Sequence, residues 1–427
     1  MLQIQEHERL VKNGVSVEYD ERYNSLELVQ WDKPVDGTPW GYYASYKIGV
    51  EWIDSEEALI VTPKRGMNNI DFLGMFMTCF SSNLALDSFS EIYKIDLDKP
   101  QVLAPALNSI VSPLIIVHFL SVINRIKSLK KGYVHQQENL KKVKGHIKIL
   151  KNERLNIAIK RYERIFCEYD EYSIDIPENR LLKKALLFSQ ALVNRMSHSH
   201  RSYPRIKLLI AKALKKFENV SDDVEMKAVG QLRSHKLFSE YSEAIRLAKV
   251  ILKHFDYSIN KVGTTDNKVT PFILDMSLLY EHYVYGLLYE AYQEKITYQF
   301  KGNTGYPDFL YTSGTFKAIL DSKYIPKYER HSLDTYAIRQ LSGYSRDLSI
   351  LKRLGYKNIE ESSLIPSIPC VIIYPSETKG NHNPFMNISL EKLCTKPLRG
   401  LSLFYKFEVP VPVSYTHLRA HETLSDL

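Results

Sequence analysis

Two acids and a lysine sit close together in the sequence, in and beside apolar runs: Asp308, which follows Gly305-Tyr306-Pro307, and Asp321 with Lys323 two positions on. The chemistry such a set can perform is metal-assisted hydrolysis of a phosphodiester. That reaction needs a divalent cation to neutralise the phosphate and to acidify an attacking water. A hard cation such as Mg2+ is held by one or two carboxylates, with water completing an octahedron. Asp321 follows Asp308 by thirteen residues, with Thr312-Ser313-Gly314 as a turn between them, so a hairpin can bring the two carboxylates together. Side chains two apart on a strand leave from the same face, which puts Lys323 beside Asp321. Its ammonium can orient the attacking water or stabilise charge developing on the phosphate.

Asp321 ends the run Ala318-Ile319-Leu320-Asp321, where a buried carboxylate without a partner is costly. An ordinary salt bridge to Lys323 is the plain alternative, because Pro-Asp followed by Asp-x-Lys is a short pattern with many chance matches. Two neighbouring features add specificity. Leu274, Leu278, Glu281, Tyr285 and Leu288 fall at i, i+4, i+7, i+11 and i+14, which places Glu281 on the core-facing stripe of a helix. An inward carboxylate there calls for a cation or for an Arg or Lys partner. Further on, Gln340 and Tyr344 share a helix face at i and i+4, with Asp334 and Tyr336 about one turn earlier.

The elements that must position these residues are legible in outline. Ile296 to Lys301, Asp308 to Tyr311 and Phe316 to Ile325 read as strands, after a helix from Pro271 to Gln293. A helix from Ser332 to Leu354 and an apolar strand, Ile368 to Tyr374, follow. That order suits a mixed sheet flanked by helices. From Gly132 to about Asp223 the chain reads as mainly helical, with Glu178-Asn179 capping a helix from Arg180 to Met196. Another long helix is expected from Glu225 to Phe255. The first third mixes short strands (Ser16 to Tyr19, Tyr46 to Trp52, Ala58 to Thr62) with helices at Ile70 to Phe80 and Pro113 to Leu129, a small α+β module. Residues 414–427, SYTHLRAHETLSDL, resemble translated sequencing-adapter read-through and are set aside as a non-native tail. His417 and His421 within them are therefore not read as a metal site.

Composition places bounds on function. Hydrophobic residues at 44% and charged residues at 25% describe a globular chain. Cys79, Cys167, Cys370 and Cys394 form no C-x-x-C pair, which argues against a zinc ribbon or a secreted disulfide framework and fits a reducing cytoplasm. Met1 to Asn13 lack the pattern of a signal peptide. The most apolar run, Pro113 to Ile123, is too short to span a bilayer, so a buried helix and no membrane partner are expected. Between Arg125 and Arg164 there are thirteen Lys or Arg against three Glu, a local excess of ten that exceeds the whole-chain net charge of +8. Such a segment can meet phosphates or can be a solvated face. His198 and His200 have no third ligand nearby in sequence. No two of the eighteen glycines are five apart, so the chain has no Gly-x-x-x-x-Gly-Lys-Ser/Thr loop and no nucleotide site of that type.

Taken together, Glu281, Pro307-Asp308, Asp321-Ser322-Lys323 and Gln340-x-x-x-Tyr344 resemble the ordered motifs of the PD-(D/E)xK nuclease superfamily. More narrowly the chain resembles the McrC family, the nuclease subunit of the McrBC 5-methylcytosine-specific restriction system. Supporting segments are Lys144-Gly145-His146-Ile147, Cys167-Glu168-Tyr169-Asp170-Glu171-Tyr172, Pro177-Glu178-Asn179-Arg180-Leu181-Leu182, Leu278-Leu279-Tyr280-Glu281 and Phe407-Glu408-Val409-Pro410. The resemblance covers about Gly132 to Pro410 and is weak before that. It implies an N-terminal α+β adaptor for motor docking at 1–130 and a nuclease domain at 131–413 with its catalytic core at about 271–375. It further implies Asp308, Asp321 and Glu281 at a Mg2+ site, with Lys323 as catalytic lysine. The implied partners are double-stranded DNA and a McrB-like AAA+ GTPase whose hydrolysis the chain stimulates. Two alternatives stay open: a PD-(D/E)xK nuclease acting alone in phage defence or repair, and a non-catalytic DNA-binding adaptor that activates a motor.

Overall fold

The computed structural model describes residues 1–33, 38–64, 70–79, 91–96, 98–104, 107–195, 203–224, 239–259, 268–324, 335–356, 358–360, 364–376 and 382–412. The C-terminal tail, His198, His200 and Asp334 lie outside the described residues. The strands and helices that follow are labelled in chain order. In the first third these are β1 (Leu2–Gln5), β2 (Lys47–Trp52), β3 (Ala58–Thr62) and β4 (Tyr93–Ile95). The middle carries β5 (Gly132–Leu140), β6 (His146–Ile147) and β7 (Ile165–Ser173), then α1 (Pro177–Arg195), α2 (Tyr203–Lys216) and α3 (Ser239–Ile259). After it come β8 (Phe272–Asp275), α4 (Met276–Tyr292), β9 (Ile296–Tyr298), β10 (Phe309–Ser313) and β11 (Phe316–Ser322). The last elements used here are α5 (Thr335–Tyr344), α6 (Leu348–Arg353), β12 (Cys370–Ser376) and β13 (Phe404–Pro410).

The chain divides into two compact units: Met1–Val117, Ser199–Ser202 and Gly263–Leu427 form one, and His118–His198 with Tyr203–Val262 form the other. The expected boundary at residue 130 falls inside the second unit. The first unit also joins the first third to the C-terminal part, through β8. Phe272, Ile273 and Leu274 were expected to open a helix, yet they form a buried strand between β2 and β4, antiparallel to both. A short apolar run fits a buried strand or a buried helix equally well by periodicity. Here the sheet order β1-β3-β2-β8-β4 settles it. The helix then starts at Met276, where Asp275 caps it by accepting from the Ser277 and Leu278 amides.

The second sheet of the first unit has the order β9-β10-β11-β12-β13. β9, β10 and β11 pair antiparallel, while β12 and β13 run parallel to β11, so the sheet is mixed. Helices cover both faces. On one, Ala337, Leu341 and Tyr344 of α5 and Ile350 and Leu351 of α6 bury Leu310, Ile319, Cys370 and Ile372. On the other, Tyr285 of α4 stacks on Phe309 with ring centroids 6.1 Å apart, and Tyr292 meets Tyr311 edge-on. The helix expected from Ser332 to Leu354 is two helices, broken before Asp347, which caps α6.

The second unit corrects another expectation. Gly132 to Ser173, read as mainly helical, holds a three-stranded antiparallel sheet ordered β5-β7-β6. The alternating Cys167-Glu168-Tyr169-Asp170 has strand period, and cross-strand pairs such as His135 with Asp170 line up on it. Part of the basic excess is met by acids, with Lys144 on Glu171, Lys148 on Glu168 and Lys130 on Glu178. The helices α1, α2 and α3 bury Leu182, Ala185, Ile206, Ile210, Ala244 and Ile251. The apolar run Pro113 to Ile123 lies in the helix Asn108–Arg125, with Leu114, Ile115, Phe119 and Leu120 buried. Among the described residues no helix is long and apolar enough to cross a membrane.

Candidate active site

Asp308 and Asp321 come together through strand register. Phe309 pairs with Leu320, so one step further Asp308 lies beside Asp321 and Ser322. Two bonds of 2.7 Å fix it there: the Ser322 amide and the Ser322 hydroxyl both donate to Asp308 Oδ2. Like charges directly across an antiparallel pair repel, so this register places two carboxylates where neither gains from the other. Asp321 is 1% exposed, while Asp308 is half-buried. Lys323 Nζ lies 2.7 Å from Asp321 Oδ2, which confirms the same-face geometry expected from their spacing.

Glu281 reaches the site from the first turns of α4. The stripe expected to carry it is only partly inward: Tyr285 and Leu288 are buried, Leu278 and Glu281 are half-exposed, and Leu274 is not in the helix. Gln299 Nε2 donates to Glu281 Oε1 at 2.8 Å, and the Gln299 amide donates to the Asp308 carbonyl at 2.9 Å. One residue therefore ties both acids to the end of β9. Tyr298, beside it, sits 3.4 Å from His282 Nε2 and stacks on Tyr285.

The titration behaviour reflects this crowding. Burial, and then the negative charge of Glu281, push the Asp308 carboxyl up to about 7, against the pull of Ser322 and Lys323. Burial also raises Glu281, and Asp321 adds to the rise, while hydrogen bonds from Gln299 and Tyr298 oppose it. Burial holds His282 down at about 4, so it is neutral near pH 7. Glu281 raises Asp308 and Asp321 raises Glu281, a crowding of acids that a cation would relieve.

A chain of hydrogen bonds links the two motifs across α5. Lys323 Nζ donates to Gln340 Oε1 (3.3 Å), Gln340 Nε2 to the Tyr344 hydroxyl (2.8 Å), and that hydroxyl to the Tyr306 carbonyl (3.2 Å). Gln340 and Tyr344 thus connect the lysine to the segment that enters Asp308. Tyr336, one turn earlier, is 74% exposed and takes no part in this chain.

Among the described residues no group of three or more His, Cys, Asp or Glu side chains is placed to hold a metal. Two adjacent carboxylates, one of them almost wholly buried, still match a hard ion that keeps several waters. The residues fit such a site and do not form an all-protein cage. Sequence reasoning missed Gln299, Tyr298 and the Ser322 clamp. Only Ser322, lying between Asp321 and Lys323, carried a signal, because its backbone amide and its hydroxyl can both donate to a carboxylate at the end of the paired strand.

A mixed α/β sheet flanked by helices, with two acids and a lysine at adjacent strand ends, defines the class of fold and site. The profile of the McrBC 5-methylcytosine restriction system component family matches residues 47–346, and the chain belongs to that family. Among solved structures, one titled a refined half-complex from a tetradecameric assembly of Thermococcus gammatolerans McrB AAA+ hexamers with bound McrC contains a similar chain. The alignment covers 100% of this chain and 99% of that one, at 14% identity and a TM-score of 0.40. A cryo-EM structure of the Thermococcus gammatolerans McrBC complex matches over 67% of this chain and 86% of its counterpart, at 13% identity and a TM-score of 0.32. No curated protein matches the chain.

Proposed function

We propose that the chain is the endonuclease component of a modification-dependent restriction system, cutting double-stranded DNA by Mg2+-dependent phosphodiester hydrolysis on a PD-(D/E)xK-type site. The observation that carries this reading is the adjacency of Asp308 and Asp321 at paired strand ends, with Lys323 Nζ 2.7 Å from Asp321. Asp308 and Asp321 would hold the cation, with Glu281 as a further acid beside it. When bound, magnesium supplies positive charge at the phosphate and a more acidic water. Lys323, steadied by Gln340, orients the attacking water or stabilises charge developing on a phosphate oxygen. Ser322 holds Asp308 by one oxygen and so leaves the other to face the site.

The family further suggests a McrB-like AAA+ GTPase as partner, a 5-methylcytosine target, and stimulation of the partner's GTP hydrolysis. Motor docking is assigned to residues 1–130 by the resemblance. The second unit also exposes apolar side chains, with Ile149, Leu150 and Tyr162 at 75%, 83% and 72% exposure, of the kind interfaces cover. Plasmid cleavage with Mg2+ tests the reading, using methylated and unmethylated DNA with and without a McrB-like AAA+ GTPase. Cleavage restricted to methylated DNA with partner and GTP is expected. Cleavage by the chain alone would favour the independent nuclease, and no cleavage in any arm would favour the non-catalytic adaptor.

A further inference from the structure

Asp347 belongs to none of the motifs above, yet it is 3% exposed and accepts five hydrogen bonds. Two come from its own helix: the Ser349 and Ile350 amides donate to Oδ1 at 2.8 and 3.4 Å, an N-terminal cap. The other three come from the loop before Asp308. The Thr304 amide and hydroxyl donate to Oδ2 at 2.7 and 2.9 Å, and Asn303 Nδ2 donates to Oδ1 at 3.2 Å. A cap needs only the first pair. The rest hold residues 303 and 304 against the start of α6.

The loop is shaped for that hold. The Gly302 amide donates to the Gly305 carbonyl at 2.8 Å, closing a tight turn. A Cβ at Gly302 would stand 2.8 Å from Asp347 Oδ2 and from Ile350, so the close approach requires glycine. Gly305 has φ +140, and a Cβ there would stand 3.1 Å from the Tyr344 hydroxyl. The turn is thus gripped by Asp347 on one side and by Tyr344, through the Tyr306 carbonyl, on the other. Pro307 and Asp308 follow at once. Tyr344 and Asp347 are three residues apart at the α5–α6 corner, and the same helix α5 holds Lys323 through Gln340.

We infer that Asp347 is a positioning residue for Asp308: it fixes the Gly302–Tyr306 turn to the α5–α6 corner and so sets Asp308 relative to Lys323. The inference rests on the proposed metal-binding role of Asp308. Supporting groups one step behind metal ligands typically change metal affinity 10–100-fold when altered. Loss of the Oδ2 acceptor in Asp347→Asn leaves one amide donor facing another, while Thr304→Val removes a single bond and leaves the cap intact.

The test uses the full chain, MnCl2 as probe, calorimetric titration, and amide hydrogen exchange across residues 302–308. Asp347→Asn is expected to weaken Mn2+ binding about tenfold or more, and Thr304→Val a few-fold, each with faster exchange in the turn. A lower melting temperature with unchanged Mn2+ affinity in both variants would overturn the inference and leave Asp347 a helix cap. Absence of Mn2+ binding by the wild-type chain would instead overturn the nuclease reading, and the positioning role with it.

Discussion

The first unit holds two clusters of inward charge, and they differ in access. In the candidate active site Asp308 and Glu281 are half-buried and the Lys323 side chain is 23% exposed, so the group opens to solvent. In the other, Glu6 at 3%, Lys64 at 4% and Tyr324 at 5% are shut away. The Lys64 amide and the Tyr324 hydroxyl both donate to Glu6 Oε2, and Lys64 Nζ stands 3.5 Å over the Tyr324 ring. Tyr324 directly follows Lys323 in sequence. Buried charge alone therefore does not mark a site; a closed cluster can only join its segments, whereas an open one can meet a ligand from solvent.

Variants can sharpen this contrast. Lys323→Ala should lower both activity and stability, because it removes the proposed charge-stabilising group and leaves Asp321 buried without its lysine. Cleavage should fall by about 10²-fold or more, and stability by roughly 3 kcal/mol, read by single-turnover rates and by denaturant unfolding. Loss of stability with full activity would mean the pair is structural, like the closed cluster.

Glu6→Gln probes that closed cluster through pH. Burial, opposed by the Lys64 amide and charge, pushes Glu6 up to about 7 from 4.5. A raised carboxyl binds its proton more tightly in the folded state, so wild-type stability falls as pH rises from about 4.5 to 7. The melting temperature of Glu6→Gln relative to wild type should then climb over that window, with cleavage at a fixed pH little changed. Burial likewise lowers Lys64 to about 8, a strain relieved only above that pH. A flat difference between pH 5 and 7 would show that Glu6 is ionised throughout.

Ser322→Ala should have the smallest effect. It removes one of two bonds to Asp308 and leaves the amide in place, a cost of about 1 kcal/mol and at most about tenfold in rate. An effect as large as that of Lys323→Ala would mean that the hydroxyl does more than hold the carboxylate.

The sequence made the acid–lysine pair legible because strand parity is fixed: residues two apart must share a face, and Asp321 and Lys323 do. It made the hairpin legible because Thr312-Ser313-Gly314 separates two apolar runs. It could not reveal that Phe272–Asp275 is a strand, since a four-residue apolar run has no distinguishing period and its partners β2 and β4 lie far away in sequence. Nor could it reveal Gln299 or Asp347, whose roles arise from contacts 18 and 43–44 residues away in sequence. The break at Asp347 was hidden because an N-cap inside an amphipathic pattern leaves the apolar spacing intact.

The most direct measurement compares wild type with Asp321→Asn, an isosteric change, in Mg2+-dependent DNA cleavage under the conditions that activate the wild type, with circular dichroism to confirm equal folding. Loss of cleavage by about 10³-fold with the fold retained is predicted, since several kcal/mol of charge stabilisation would go with the carboxylate. Cleavage by Asp321→Asn at the wild-type rate would contradict the assignment of the site to Asp308, Asp321 and Lys323.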